Sequence, residues 1–212
     1  MSTWAVVVAA GTSERFGRAK QYEQLGGRRV LDWSLDAARS TCEGVVLVVR
    51  PEQVAEPEPS ADVVVAGGLT RSASVRCGLA AVPAGAQVVV VHDAARPLAT
   101  IDLFKAVVEA VRAGAGGAVC AVPVPDTIKR VEGQRVVETL ERAGLWAVQT
   151  PQAFAAGLLR EAHAGGAEAT DDAALVEATG ATVVVVEGHP RNLKLTGALD
   201  LVVAEALVAT LR

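Results

Sequence analysis

The stretch WAVVVAAGTSERFGRAK, Trp4 to Lys20, decides how the rest of the chain is read. Its first half, Trp4 to Ala9, is a short Val-rich run; its second half is a loop of small residues that carries Arg15 and Lys20. A strand so uniformly apolar is one buried on both faces, as happens when helices cover the two sides of a parallel sheet. Working outward, Gly44 to Val49, Asp62 to Val65, Gln87 to Val91, Ala118 to Val122 and Thr182 to Val186 repeat the pattern. Between these runs apolar residues recur at helical spacing: Leu31, Leu35, Ala38 and Cys42; Val75, Leu79 and Val82; Phe104, Val107, Val108 and Val111; and Leu199, Val203 and Leu207. Strands alternating with amphipathic helices predict an α/β fold with a mostly parallel sheet.

The composition narrows what such a domain can do. With 212 residues, 51% hydrophobic and 21% charged, the chain can bury a core large enough to offset its ordering entropy. No apolar run reaches the roughly 18 residues of a membrane span. The N-terminus lacks the basic and apolar regions of a secretory signal, and Cys42, Cys77 and Cys120 are odd in number and form no CxxC pair. Those features predict buried free thiols and a cytoplasmic location. A net charge of −4 argues against a nucleic-acid coating role but leaves room for a small anionic ligand. Sixteen arginines stand against four lysines, Lys20, Lys105, Lys129 and Lys194, so each compact ammonium draws notice in a chain that otherwise prefers the guanidinium fork.

The rhythm breaks between Pro123 and Pro151. Thr127 to Val131 and Arg135 to Leu140 read as two strands joined at Glu132-Gly133-Gln134, a hairpin with little core of its own. An isolated ribbon is marginal in water, so residues 123–151 are expected to form a β-arm on a single domain spanning 1–212, packed against a second copy of the chain. Pro51 to Ser60 reads as a polar, proline-rich loop.

Three loops carry candidate chemistry. The loop from Ala9 to Lys20 offers backbone N–H groups, glycines at Gly11 and Gly17, and the cations Arg15 and Lys20, a set that suits phosphates. Its spacing is neither GxGxxG nor GxxxxGK[ST], and a plain glycine turn is the alternative. His92-Asp93-Ala94-Ala95-Arg96-Pro97 follows a strand end, where open α/β sheets place ligand groups; Asp93 can hold a hydroxyl or Mg²⁺, or can be a turn residue. His92 is read as structural, since no second His lies near it. Gly67 to Ser74 joins a strand to a helix and offers free N–H groups and hydroxyls, with Ser72 or Ser74 as a simple N-cap on the alternative reading. Thr127, Arg142, Thr150 and Lys194 are polar residues at arm ends or in short turns, individually ordinary on a surface.

Taken in order, AAG-T-SERFG-RAKQY, GG-LTRSASV, VHDAARP, PVPDTIKR, GLW-AVQTPQAF, ATDDAALVE and EG-HPRNLKLT resemble the 2-C-methyl-D-erythritol 4-phosphate cytidylyltransferase family over nearly the full chain. The resemblance implies a Rossmann-like three-layer α/β/α nucleotidyltransferase with a protruding β-arm, forming a homodimer through that arm. It implies catalytic roles for Arg15, Lys20, Arg142 and Lys194, and CTP contacts at Ala10, Gly11, Thr12, Gly68, Arg71 and Ser74. Asp93, Arg96, Thr127 and Thr150 would meet the acceptor, with Thr127 and Arg142 reaching into the partner's site. Mg²⁺ would accompany the reaction, with Asp93 its candidate ligand. The implied chemistry is attack by an acceptor phosphate oxygen on the α-phosphorus of CTP, which needs no general base. This chain departs from the family pattern in having Ala19 where a proline usually precedes the lysine, a shorter Arg15 to Lys20 loop, and Leu69 where a polar residue is common. A cytidylyltransferase for another polyol phosphate such as ribitol 5-phosphate, or a nucleotide-binding regulator without turnover, are the rival readings; a dinucleotide fold lacks its glycine fingerprint.

Overall fold

The computed structural model describes residues 1–11 and 19–210. A seven-stranded sheet is built from β1 (Thr3–Val8), β4 (Gly44–Val49), β5 (Val63–Ala66), β6 (Val88–Asp93), β7 (Gly117–Pro123), β10 (Trp146–Ala155) and β11 (Val183–Glu187). The two short pairs β2 (Gln24–Leu25) with β3 (Arg28–Arg29), and β8 (Lys129–Glu132) with β9 (Arg135–Thr139), stand apart from it. Strand order across the sheet is β11-β7-β10-β6-β1-β4-β5. All pairings are parallel except those of β10, which runs antiparallel to both β6 and β7.

The Val runs explain why these segments are strands and why two layers of helix cover them. Along β1, Val6 faces one core and Ala5 and Val7 the other, all three fully buried. On the Val7 face lie α1 (Val30–Arg39), which contributes Leu31, Leu35 and Ala38, and α3 (Ile101–Arg112), which contributes Phe104, Val107 and Val108. On the Val6 face lie α2 (Arg71–Ala81) with Val75 and Leu79, α4 (Ala156–Ala164) with Leu159, and α5 (Asp172–Glu177) with Val176. The three-layer arrangement follows from residues of alternating face on strands that are apolar on both.

The last helix, α6 (Ala198–Ala209), corrects an expectation. Helical spacing puts Leu199, Val203 and Leu207 on its core face, yet Leu199 is 73% and Val203 45% exposed, while Ala204 and Val208 are buried. The helix packs at the rim against Leu25, Val30 and Leu195 rather than over the sheet. Its sequence is apolar on nearly every side, so periodicity alone has no means of choosing the buried stripe.

A second correction concerns residues 123–151. The expected hairpin is present as β8 and β9, with Glu132 opposite Arg135 and Gly133 at φ 60° in the two-residue loop. The remainder, however, is no arm: β10 runs from Trp146 into the middle of the main sheet. Between Val148 and Gln152 it spends two more residues than β7 does, an irregularity that carries Gln149 and Thr150 out of register. Of the cysteines, Cys42 and Cys120 are buried, and burial pushes both thiols up to about 12; Cys77 is only half-buried, against expectation.

Candidate active site

Strand β1 lies at the point where the sheet changes direction, with β4 on one side and β6 on the other. Loops at the carboxyl ends of strands diverge there and leave a crevice. It holds a cleft of about 540 Å³ whose walls include Ala10 and Gly11 after β1, Arg50 after β4, Gly68 after β5, Arg71 and Ser74 on α2, Asp93 at the end of β6, and Lys20 and Lys194. Close packing makes this loop cluster possible only with glycines. A Cβ on Gly67 would fall 2.5 Å from Ala10 Cβ, and one on Gly68 2.5 Å from Ala73 Cβ. Among the described residues nothing lies within 4 Å of where a Gly11 Cβ would sit. Gln21, buried, donates from Nε2 to the Ala9 carbonyl at 2.8 Å and fixes the strand end.

The Gly67 to Ser74 segment is organised by its hydroxyls. Thr70, not Ser72 or Ser74, caps α2: its Oγ1 accepts the Ala73 N–H at 3.0 Å. The buried Ser74 Oγ instead accepts the Gly68 N–H at 3.2 Å and donates to the Thr70 carbonyl at 2.9 Å, clasping the glycine loop over the helix start.

A smaller cleft of about 230 Å³ adjoins the first, lined by Arg96, Thr150, Gln152, Thr170 and Asp171. Arg71, Asp93 and Lys194 line both. These three form one ionic chain. The Asp93 carboxylate takes Arg71 Nε at 3.1 Å on Oδ1 and Lys194 Nζ at 2.6 Å on Oδ2. Burial works to raise its pKa, but the charges of Arg71 and Lys194 outweigh that and hold it well below the usual carboxylate range. Lys194 reaches this place because Leu195, fully buried, donates its N–H to the Ala95 carbonyl at 2.8 Å and ties the late loop to the 92–97 turn. Arg96 braces the same loop, donating to the Asn192 carbonyl at 2.7 Å.

As a candidate Mg²⁺ ligand, Asp93 is poorly placed. Both of its oxygens already carry cations, and among the described residues no group of three His, Cys, Asp or Glu side chains gathers to hold an ion. Thr150, expected to touch the acceptor, has its hydroxyl engaged: Oγ1 accepts the Asp93 N–H at 3.0 Å and meets His92 Nδ1 at 3.1 Å. His92 is buried against Phe104, and burial pulls its pKa down to about 4, which agrees with the structural reading.

Thr127 and Arg142, both exposed, line neither cleft; the Arg142 guanidinium donates to the Pro125 carbonyl within the arm. Thr12 and Arg15 lie outside the described residues. Sequence reasoning missed Arg50, Gln152, Asp172 and His163. Asp172 is fully buried and accepts from Arg71 Nη1 at 2.8 Å and from His163 Nε2 at 3.0 Å.

A parallel sheet that opens an amide- and cation-rich crevice at its switch point, beside a second compartment sharing its ionic wall, is the architecture of a nucleotidyltransferase. Comparison with known proteins gives the particular kind. The family profile of 2-C-methyl-D-erythritol 4-phosphate cytidylyltransferase matches residues 3–210, and the chain belongs to that family. The 2-C-methyl-D-erythritol 4-phosphate cytidylyltransferase of Streptomyces avermitilis is 44% identical, covering 99% of this chain and 93% of its own length. The crystal structure of the Thermus thermophilus cytidylyltransferase superposes with a TM-score of 0.85 at 42% identity, covering 99% of this chain and 100% of the other. That of the Anaerococcus prevotii 4-diphosphocytidyl-2C-methyl-D-erythritol synthase does so at 0.84 and 28% identity, covering 98% of each.

Proposed function

We propose that the protein joins CTP and 2-C-methyl-D-erythritol 4-phosphate across its two adjoining clefts, releasing pyrophosphate and forming 4-diphosphocytidyl-2-C-methyl-D-erythritol. The observation that carries this reading is the shared wall. Arg71, Asp93 and Lys194 border both compartments, so a nucleotide in the larger and a polyol phosphate in the smaller would bring their phosphates together at Lys194.

An acceptor phosphate oxygen attacks the α-phosphorus of CTP in line while the bond to the β-phosphate oxygen breaks, and pyrophosphate leaves. The attacking oxygen is already ionised, so no side chain must remove a proton. Catalysis then rests on holding two anions together and on cations placed where charge develops. Lys20 and Arg15 attend the triphosphate, and Lys194 and Arg96 the acceptor phosphate. Ala10, Gly11, Gly68 and Ser74 shape the nucleotide side, with Arg50 at its rim. Mg²⁺ would come with the nucleotide and screen its phosphate charge, because Asp93, the carboxylate that lines both clefts, is committed to Arg71 and Lys194.

Thr127 and Arg142 act in trans in this reading. They flank the β8–β9 hairpin and line neither cleft of their own chain, and the hairpin's Val131 and Val136 are about half exposed, which supports a homodimer in which each hairpin region completes the other copy's acceptor compartment. Pyrophosphate release from Mg²⁺ and CTP with 2-C-methyl-D-erythritol 4-phosphate tests the proposal, with ribitol 5-phosphate, ATP, GTP and UTP run in parallel. Release confined to CTP with the methylerythritol phosphate is the expected result. Release only with another polyol phosphate would replace the acceptor, and CTP binding without release under any condition would overturn the transfer reading.

A further inference from the structure

Behind the shared wall lies a buried pair, His163 and Asp172, that lines neither cleft. Asp171 and Asp172 stand together at the start of α5, and only the first serves the helix: Asp171 Oδ1 accepts the Ala174 N–H at 3.1 Å and caps it. Asp172 is fully buried and its carboxylate is divided, Oδ1 to His163 Nε2 at 3.0 Å and Oδ2 to Arg71 Nη1 at 2.8 Å. A buried carboxylate is costly unless paired, and here one of its two partners is a cleft-lining arginine.

We propose that His163 and Asp172 are positioning residues for the transfer reaction, setting Arg71 so that Asp93 is left to hold Lys194. This inference rests on the function proposed above. The guanidinium is a rigid planar fork, and it is gripped at two points, by Asp172 through Nη1 and by Asp93 through Nε at 3.1 Å. One grip would leave it free to pivot; two fix its plane. Without the Asp172 grip, Arg71 turns onto Asp93 alone and competes for the carboxylate whose Oδ2 lies 2.6 Å from Lys194 Nζ. His163, 3% exposed on α4, holds the Asp172 rotamer from behind. The chain from His163 through Asp172, Arg71 and Asp93 to Lys194 thus carries the rigidity of the α4–α5 layer to the ammonium at the junction of the two clefts.

Three variants and two readouts test this. Asp172→Asn keeps the shape and removes the charge; His163→Leu removes the donor; His163→Gln places an amide N–H near the position of Nε2. Pyrophosphate release is followed at varied CTP and acceptor, with thermal unfolding on the same samples. In Asp172→Asn and His163→Leu, kcat falls by roughly 10- to 100-fold, as expected for misplacement of a distant catalytic group, and by more than either KM changes. His163→Gln recovers most of the loss. A purely structural pair would instead lower the unfolding temperature and leave kcat per folded molecule unchanged, and that result overturns the proposal. The second readout is independent of turnover: in the crystal structure of Asp172→Asn, Arg71 moves towards Asp93 and the Lys194–Asp93 contact opens. An unmoved Arg71 and Lys194 would defeat the inference even if the protein catalysed a different reaction, whereas an inactive wild-type protein with a displaced Arg71 would defeat only the assigned reaction.

Discussion

Replacing Lys194 with alanine removes the one ammonium that, among the described residues, borders both clefts, and its two effects separate cleanly. The Lys194 side chain is 40% exposed but that of Asp93 only 11%, and the buried carboxylate keeps Arg71 as a counter-ion instead of being left unpaired. The loss is therefore about 1–2 kcal/mol, above that of a solvated pair and below that of a buried charge stripped of its partner, which for a chain of this length lowers the unfolding temperature by about 2–8 °C. The kinetic effect is far larger. Deleting a single donor that meets developing charge costs on the order of 10² to 10³ in kcat, about 3–4 kcal/mol. Here the deletion also bares one oxygen of Asp93 towards the phosphates of both substrates, so the loss should lie at the upper end of that range. Lys194→Arg restores the charge but not the compact ammonium seated 2.6 Å from the carboxylate, and it recovers only part of the rate. Pyrophosphate release at saturating Mg²⁺, CTP and acceptor gives kcat, and thermal unfolding gives stability. A folded Lys194→Ala protein whose kcat stays within about threefold of wild type would refute the assignment of the shared wall to transition-state stabilisation.

Mixing offers a check on the proposed dimer: Arg142→Ala and Lys194→Ala proteins, each inactive alone, are expected to regain about a quarter of wild-type activity after joint unfolding and refolding, because one site in each mixed dimer of the proposed kind would keep both residues. Failure to complement would place Arg142 outside the partner's site. Gly68→Ala forces a Cβ to within 2.5 Å of Ala73 Cβ, so it raises the KM for CTP more than that for the acceptor and lowers stability by about 1–3 kcal/mol; equal KM changes would contradict the division into two clefts. His92 titrates near 4 in the fold against about 6.5 when unfolded, so between those values the unfolded chain binds the extra proton. Stability is therefore full above about pH 6.5 and falls by up to about 3 kcal/mol towards pH 4. Denaturant titrations of His92→Asn should show a flatter limb across that window, and an unchanged slope would mean another group is responsible.

The parallel strands were legible because each is a short apolar run, mostly valine and in β7 alanine, valine and cysteine, that fills a two-sided interior. The ten residues of β10 were not: Gln149, Thr150, Pro151 and Gln152 break the apolar pattern, and a proline ordinarily argues against a central strand. The structure accommodates Pro151 at the register shift between Val148 and Gln152, where regular ladder pairing is suspended. The loops that line the clefts could be found from their glycines and charges, and Lys194 from the scarcity of lysine. Asp172 carried a fainter signal. Two adjacent aspartates precede a helix that can use only one as its cap, so the other required a different partner. That the partner would be Arg71, distant in sequence, is a product of the fold and has no local trace.

The place of β10 also dictates an order of assembly. β5, β4, β1 and β6 form a contiguous parallel block by the time residue 93 has been made, whereas β7 has only β10 and β11 as neighbours, both of which come later in the chain. A nascent chain that has emerged as far as β7 therefore holds half a sheet and an orphan strand, with Gln152 and Ala153 still to be threaded opposite Val91 and Val90. Most of the wall of the larger cleft is carried by strands complete by residue 93, with Lys194 joining it late, whereas the smaller cleft takes Val148, Gln149, Thr150 and Gln152 from the reversed strand that closes the seam between the two blocks.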